Sequence, residues 1–389
     1  MGLFLSHSET VSSQIEQLDQ PVRMGASLLI GSDNPMYNNI MNDFAQSPRQ
    51  LNNARASQEP IAAPRVHVVA TGGTIAMQLD PDQGGATPAV SGADLVAIVP
   101  GISQIARLSV EEFSNIPSEH MTPDIWLRLA TRLDEISRGG DVEGIVITHG
   151  TDTMEETAFF LDLAVGGDIS IVLTGAQRPA SAPDADGPGN LRDAIRVAGC
   201  AESRGRGVRI VMHGEIHTAR EAVKTYTEEL DAFDSHSGTD LGIVQDDRVF
   251  FTSEVLPRRH LSLPTSLPRV DIIPMYAGAD DAALQAALEH GAAGLVIAAV
   301  GAGNVNRALF DGIKTALQQG VAVVIATRVP HGLVRPLYAY AGGGVSLREA
   351  GAIMAGDLTP QKARVLLMLA LAAGEQGASL RERFEVPDH

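Results

Sequence analysis

Three short segments carry hydroxyls and a base of the types that nucleophilic chemistry uses. Ala70-Thr71-Gly72-Gly73-Thr74-Ile75-Ala76 follows an apolar, β-branched run. Its two glycines let the backbone turn tightly against a ligand and leave Thr74 projecting at the strand end. Alone, Gly-Gly-Thr is a turn with a helix cap. The segment lacks the third glycine of a dinucleotide fingerprint and the Gly-Lys-Ser/Thr of a phosphate loop. The second segment is Thr148-His149-Gly150-Thr151-Asp152-Thr153-Met154-Glu155-Glu156-Thr157. A helix start needs one capping residue and favours acids in its first turn. Thr-Asp-Thr with two further carboxylates is more polar chemistry than that. A hydroxyl is a poor nucleophile until a base or a lowered pKa activates it. Lys224, in Ala222-Val223-Lys224-Thr225-Tyr226-Thr227, is the candidate base. By spacing alone it reads as a solvated loop lysine. Desolvated beside Thr151, with Asp152 fixing its position, it would lose proton affinity and could accept a proton.

Both hydroxyl loops follow short apolar runs, and open parallel sheets bind ligands just beyond the carboxyl ends of their strands. Val66 to Ala70, Gly144 to Thr148, Ile169 to Thr174 and Val208 to Met212 read as strands, separated by helical patterns such as Thr122 to Ser137 and Asn190 to Ala201. Strand, loop and helix in repetition predict an α/β fold with a right-handed, mostly parallel open sheet. Three prolines between Leu256 and Arg269 mark a linker. A smaller series follows, with strands at Val270 to Ile273, Gly294 to Ala298 and Ala322 to Thr327 and a closing helix from Pro360 to Ala373. The expected division is an N-terminal extension over 1–63, an α/β domain over 64–252, a linker over 253–269 and a C-terminal α/β domain over 270–389.

The bulk composition agrees. A chain of 389 residues suits two domains. Abundant aliphatics with only 4% aromatics suit parallel sheets buried between helices. A net charge of -18 disfavours nucleic acid and anionic membrane surfaces as partners. The single cysteine, Cys200, excludes an intrachain disulfide and a multi-thiolate metal site. No apolar run has the roughly 20 residues of a spanning helix. The N-terminus shows no export signal, so a cytoplasmic location is expected, or a periplasmic one if Met1 is not the biological start.

The motifs at 70–76 and 147–158 resemble the two signatures of bacterial-type L-asparaginases and glutaminase-asparaginases. The resemblance runs over about residues 65 to 375 and includes Thr174-Gly175-Ala176-Gln177-Arg178-Pro179, Asp186-Gly187-Pro188-Gly189-Asn190, Val300-Gly301-Ala302-Gly303-Asn304 and the segment from Pro360 to Leu367. It implies a larger N-terminal flavodoxin-like sheet with a smaller C-terminal domain, and side-chain amide hydrolysis of asparagine, and often glutamine, without metal or cofactor. By motif position Thr74 is the implied nucleophile, and Thr151, Asp152 and Lys224 the second hydroxyl relay. Ser118 and Glu119 match the segment that holds the α-carboxylate and α-amino groups, with Asp152 sharing the latter. The backbone at Gly150 and Ala176 is implied in the oxyanion and amide pocket. The family assembles as tetramers of close dimers, so Asn304 would reach the site from a neighbouring copy.

The sequence departs from the exported members in the lid. Residues 77–90 contain no tyrosine, and residues 329–340 offer no glutamate at the matching place. Thr87, or Tyr338 or Tyr340 of a second copy, would be the available hydroxyls. Two other functions share many of these features. An amidotransferase-type subunit of a tRNA-dependent complex would carry a folded N-terminal extension, and a non-catalytic amino-acid-binding relative would bind aspartate without turnover.

Overall fold

The computed structural model describes residues 63–236, 238, 241–252 and 259–385. The expected 1–63 extension therefore lies almost wholly outside the described residues, as do positions 253–258 of the expected linker. In chain order the strands are β1 (Arg65–Gly72), β2 (Met77–Asp80), β3 (Gly85–Pro88), β4 (Arg107–Ile116), β5 (Gly144–Thr148), β6 (Ser170–Thr174), β7 (Val208–Met212) and β8 (Glu215–Thr218). There follow β9 (Ala222–Lys224), β10 (Phe233–Ser235), β11 (Gly242–Gln245), β12 (Arg248–Phe251), β13 (Val270–Pro274), β14 (Gly294–Ala299), β15 (Ala322–Thr327) and β16 (Ile353–Met354).

The larger sheet has the order β12-β11-β8-β7-β6-β5-β1-β4. Its five strands from β4 to β7 are parallel, while β8, β11 and β12 extend it antiparallel. Every residue of β5, β6 and β7 is buried, which requires cover on both faces. Alternation divides that cover. Ile145 and Ile147 of β5 belong to a core with the helices Pro123–Gly139 and Met154–Ala164, whereas Val146 faces Leu191, Ala194 and Ile195 of the helix Gly187–Gly199.

The smaller sheet, β13-β14-β15-β16, is wholly parallel. One of its faces packs on the helices Ala282–Glu289 and Arg307–Gln318. Its other face shares a core with the helix Pro360–Ala372, and the same core includes residues of the larger sheet. That helix is buried on nearly all sides. The described part of the expected linker, 259–269, forms neither helix nor strand, and Leu261 within it is buried, its N–H donating to Leu163 O at 2.8 Å.

Candidate active site

The chemistry-bearing loops leave the carboxyl ends of three adjacent strands, β1, β5 and β6. After β1 the chain passes Gly73 at φ 87° and ψ 178° and enters a single 3₁₀ turn, Thr74–Ala76. A side chain at Gly73 would strike the backbone N and Cα of Gly150, so the two loops meet backbone to backbone. Gly150 lies equally close to the next segment: a Cβ there would be 2.8 Å from Ser118 Oγ. A Cβ at Gly175, just past β6, would stand 3.3 Å from Thr151 Cγ2. Thr74, Ser118, Gly150, Thr151 and the Gly175-Ala176 loop are thereby gathered at one end of the sheet.

Lys224 joins them at the end of β9. Its Nζ donates to Thr151 Oγ1 at 2.8 Å and to Asp152 Oδ1 at 2.6 Å. Thr151 is 4% exposed, the Lys224 side chain 15% and the Asp152 side chain 65%. Because the lysine occupies a lone pair of the Thr151 oxygen, the hydroxyl proton can point toward a ligand or a second hydroxyl. The lysine backbone is held as well, its N–H donating to Glu155 Oε2 at 2.7 Å. Ser118 is buried and Glu119 exposed at the start of the 3₁₀ turn Ser118–His120. Thr153 ties that turn to the second loop by donating to Ser118 O at 2.7 Å.

Asn304 lies elsewhere in the chain. It sits in the turn after β14, bridged to Val300 through both backbone groups. The lid segment forms the β2–β3 hairpin, in which Thr87 pairs with Gln78. Ala180 N and Leu79 N link the hairpin to the loop after β6, donating to Met77 O and Ser181 Oγ respectively, each at 2.8 Å. Among the described residues no group of three or more His, Cys, Asp or Glu side chains is placed to hold a metal ion.

Two supporting groups escaped residue-by-residue reading. The Asp186 carboxylate accepts Gln177 N at 3.0 Å, Arg178 N at 2.9 Å and Asn190 Nδ2 at 3.1 Å. Asn190 Nδ2 also donates to Gly175 O at 3.1 Å, and its Oδ1 accepts His213 N at 3.0 Å. One helix start thus pins both flanks of Ala176. Asp186→Ala is expected to cost roughly 2 kcal/mol, because two backbone donors lose a charged acceptor. Urea denaturation checks this, and a change within a few tenths of a kcal/mol would remove the clamp from consideration.

The second group is His149, fully buried under the Thr151 turn. Its Nδ1 lies 2.6 Å from Gly150 O and its Nε2 3.0 Å from Thr157 Oγ1, which Trp126 Nε1 also reaches at 2.9 Å. A carbonyl only accepts, so Nδ1 carries the proton and Nε2 accepts from Thr157. Burial pushes the imidazole down to about 4 and keeps it neutral. An unfolded histidine takes up its proton near 6.5. As pH falls from about 6.5 to 4 the unfolded state therefore binds the proton first, and stability is lost by on the order of 3 kcal/mol. His149→Asn keeps a donor for Gly150 O and removes the titration, so its stability should fall less between pH 7 and 4.5 than that of the parent. Equal losses in the two proteins, measured by urea unfolding, would contradict this.

Comparison with known proteins gives the family. Residues 65–256 match the family described as Asparaginase, N-terminal, and residues 269–384 the Glutaminase/Asparaginase C-terminal domain. The chain is 38% identical over 334 residues to L-asparaginase 2 of Bacillus subtilis (strain 168), covering 83% of this chain and 86% of that protein. It is 35% identical over 337 residues to the Glutaminase-asparaginase of Pseudomonas fluorescens biotype A, covering 82% and 89%. The crystal structure of a probable cytoplasmic L-asparaginase from Campylobacter jejuni superposes with a TM-score of 0.76 at 39% identity, over 82% of this chain and 99% of that one. The protein belongs to the asparaginase family, and its two α/β units have the architecture that the motifs implied.

Proposed function

We propose that the protein is an L-asparaginase that hydrolyses L-asparagine to L-aspartate and ammonia through a threonine nucleophile, with minor activity on L-glutamine. The observation that carries this reading is the contact of Lys224 Nζ with both Thr151 Oγ1 and Asp152 Oδ1, on a loop whose Gly150 packs against the Gly73 that precedes Thr74. Thr74 Oγ attacks the side-chain amide carbon while its proton passes to the leaving nitrogen. Collapse of the tetrahedral adduct breaks the C–N bond, releases ammonia and leaves an aspartyl ester on Thr74. Water then adds to the ester carbonyl and loses a proton to the Thr151–Lys224 relay. As the tetrahedral adduct collapses, the C–O bond to Thr74 breaks and the relay returns that proton to the departing Thr74 Oγ, freeing aspartate and the Thr74 hydroxyl. Backbone groups at Gly150 and Ala176 face the oxyanion and amide. Ser118, Glu119 and Asp152 hold the α-substituents, a carboxylate pair suiting an ammonium.

The working particle in this reading is a homotetramer built from dimers, in which Asn304 of one copy completes the site of another. The exposed Leu337, Tyr338 and Tyr340 favour a face covered by a second copy. A cytoplasmic location and the domain division at 253–269 belong to the same proposal. Ammonia release from asparagine and glutamine by purified protein tests it. Thr74→Ala is expected to retain aspartate binding and to lose turnover by about 10³-fold or more. Undiminished release by the variant, or aspartate binding by the parent without any turnover, would sink it.

A further inference from the structure

Outside the groups given roles above, Lys362 is one of the largest fully enclosed side chains among the described residues, at 1% exposure. It belongs to the helix Pro360–Ala372 of the C-terminal unit. Its Nζ nevertheless ends in the N-terminal unit, donating to Ala222 O at 2.5 Å and to Arg220 O at 2.7 Å. Those carbonyls belong to the first residue of β9 and to a residue two before it, and Lys224 closes the same strand.

We propose that Lys362 is a positioning residue for the reaction, its enclosed ammonium holding β9 by two carbonyls so that Lys224 Nζ stays against Thr151 and Asp152. This rests on the relay role of Lys224 given above. The strand needs such a hold: β9 has three residues and, among the described residues, pairs only with the equally short β10. Glu155 supplies the second hold by accepting Lys224 N, from the helix that begins directly after the Thr151 turn. The charged groups facing Lys362 are Glu155, Glu221, Arg220 and Asp357, and Arg220 is itself paired with Asp357 at 2.6 Å. Burial lowers the proton affinity of Lys362 to about 8 against these acids, so at neutral pH the cation persists. A methionine of similar length would fill the space without the desolvation that an enclosed ammonium suffers. Packing alone therefore does not account for a lysine here, whereas fixing two carbonyls beside the site does.

The test compares Lys224→Met, Lys362→Met and Lys362→Arg in the full-length protein, by melting temperature, by kcat and KM for asparagine, and by the pH profile of kcat. Lys224→Met is expected to be inactive. Folded Lys362→Met should lose about 10- to 100-fold in kcat, with KM changed less than about threefold and the pH profile displaced, since sub-ångström to ångström misplacement acts on the chemical step. Lys362→Arg, which keeps a permanent cation and its donors, should recover part of kcat. If Lys362→Met does not fold, Lys362→Gln carries the same comparison. A merely structural lysine would lower the melting temperature and leave kcat and the pH profile of the folded protein as in the parent, which would overturn the proposal. Activity retained by Lys224→Met would remove the relay reading and this inference together. An inactive Lys224→Met beside an unchanged Lys362→Met would remove the inference alone.

Discussion

Thr151→Val is expected to lower kcat for asparagine by about 10³-fold while leaving the protein folded. The substitution keeps the shape of a side chain that is almost fully enclosed and removes only its oxygen. That oxygen is where Lys224 Nζ lands, so its loss leaves the lysine with Asp152 alone and breaks the path by which a proton reaches the reacting hydroxyl or water. The exposed part of the site, Glu119 and Asp152, is untouched, and KM should move little. Steady-state kinetics and the urea midpoint separate the two effects. A kcat within tenfold of the parent would show that the Lys224–Thr151 contact does not serve the reaction.

The second large effect is expected at Gly73. Its φ of 87° already disfavours any side chain, and the added carbon of alanine would fall on the N and Cα of Gly150, which have no rotamer by which to yield. Strain and overlap together put the loss for Gly73→Ala at about 4 kcal/mol, with activity falling further as Thr74 shifts. Gly84→Ala in the β2–β3 hairpin is the control. It has a similar φ of 68° but nothing within 4 Å, so only the backbone term of about 1 kcal/mol applies. Denaturant midpoints that fail to distinguish the two variants would mean that the loops of β1 and β5 are not wedged together as described.

How much of this was legible beforehand depends on what kind of signal each element leaves. β5 and β15 begin and end where their apolar runs, each closed by a threonine, do, because burial on both faces leaves no polar interruption. β7 keeps its expected bounds although the buried Arg209 interrupts its run. β4 gives no such run: among the described residues it is an edge strand, Arg107–Ile116, with exposed and half-buried positions interleaved, paired only with β1. The antiparallel strands β8, β11 and β12 are four residues each, too short for periodicity to speak. In the site, Thr74, Thr151, Asp152 and Lys224 stood out through residue type and motif, and the fold joins the last three directly. Asp186 and Lys362 lay inside quoted motifs without a role, since their partners are backbone groups 8 to 9 and 140 to 142 residues away. Side-chain chemistry can be read along a chain. Which carbonyl it serves cannot.

The helix Pro360–Ala372 carries a consequence for how far the two units can be separated. It is inserted between the smaller sheet and the helix Met154–Ala164, and contributes to the same apolar core as Phe159 and Phe160. A chain cut within the linker would leave one fragment with an uncovered hydrophobic face and the other with a helix lacking its socket. The boundary that divides the sequence does not divide the apolar core, so the helix Pro360–Ala372 must be synthesised before the core around Phe159 and Phe160 is closed.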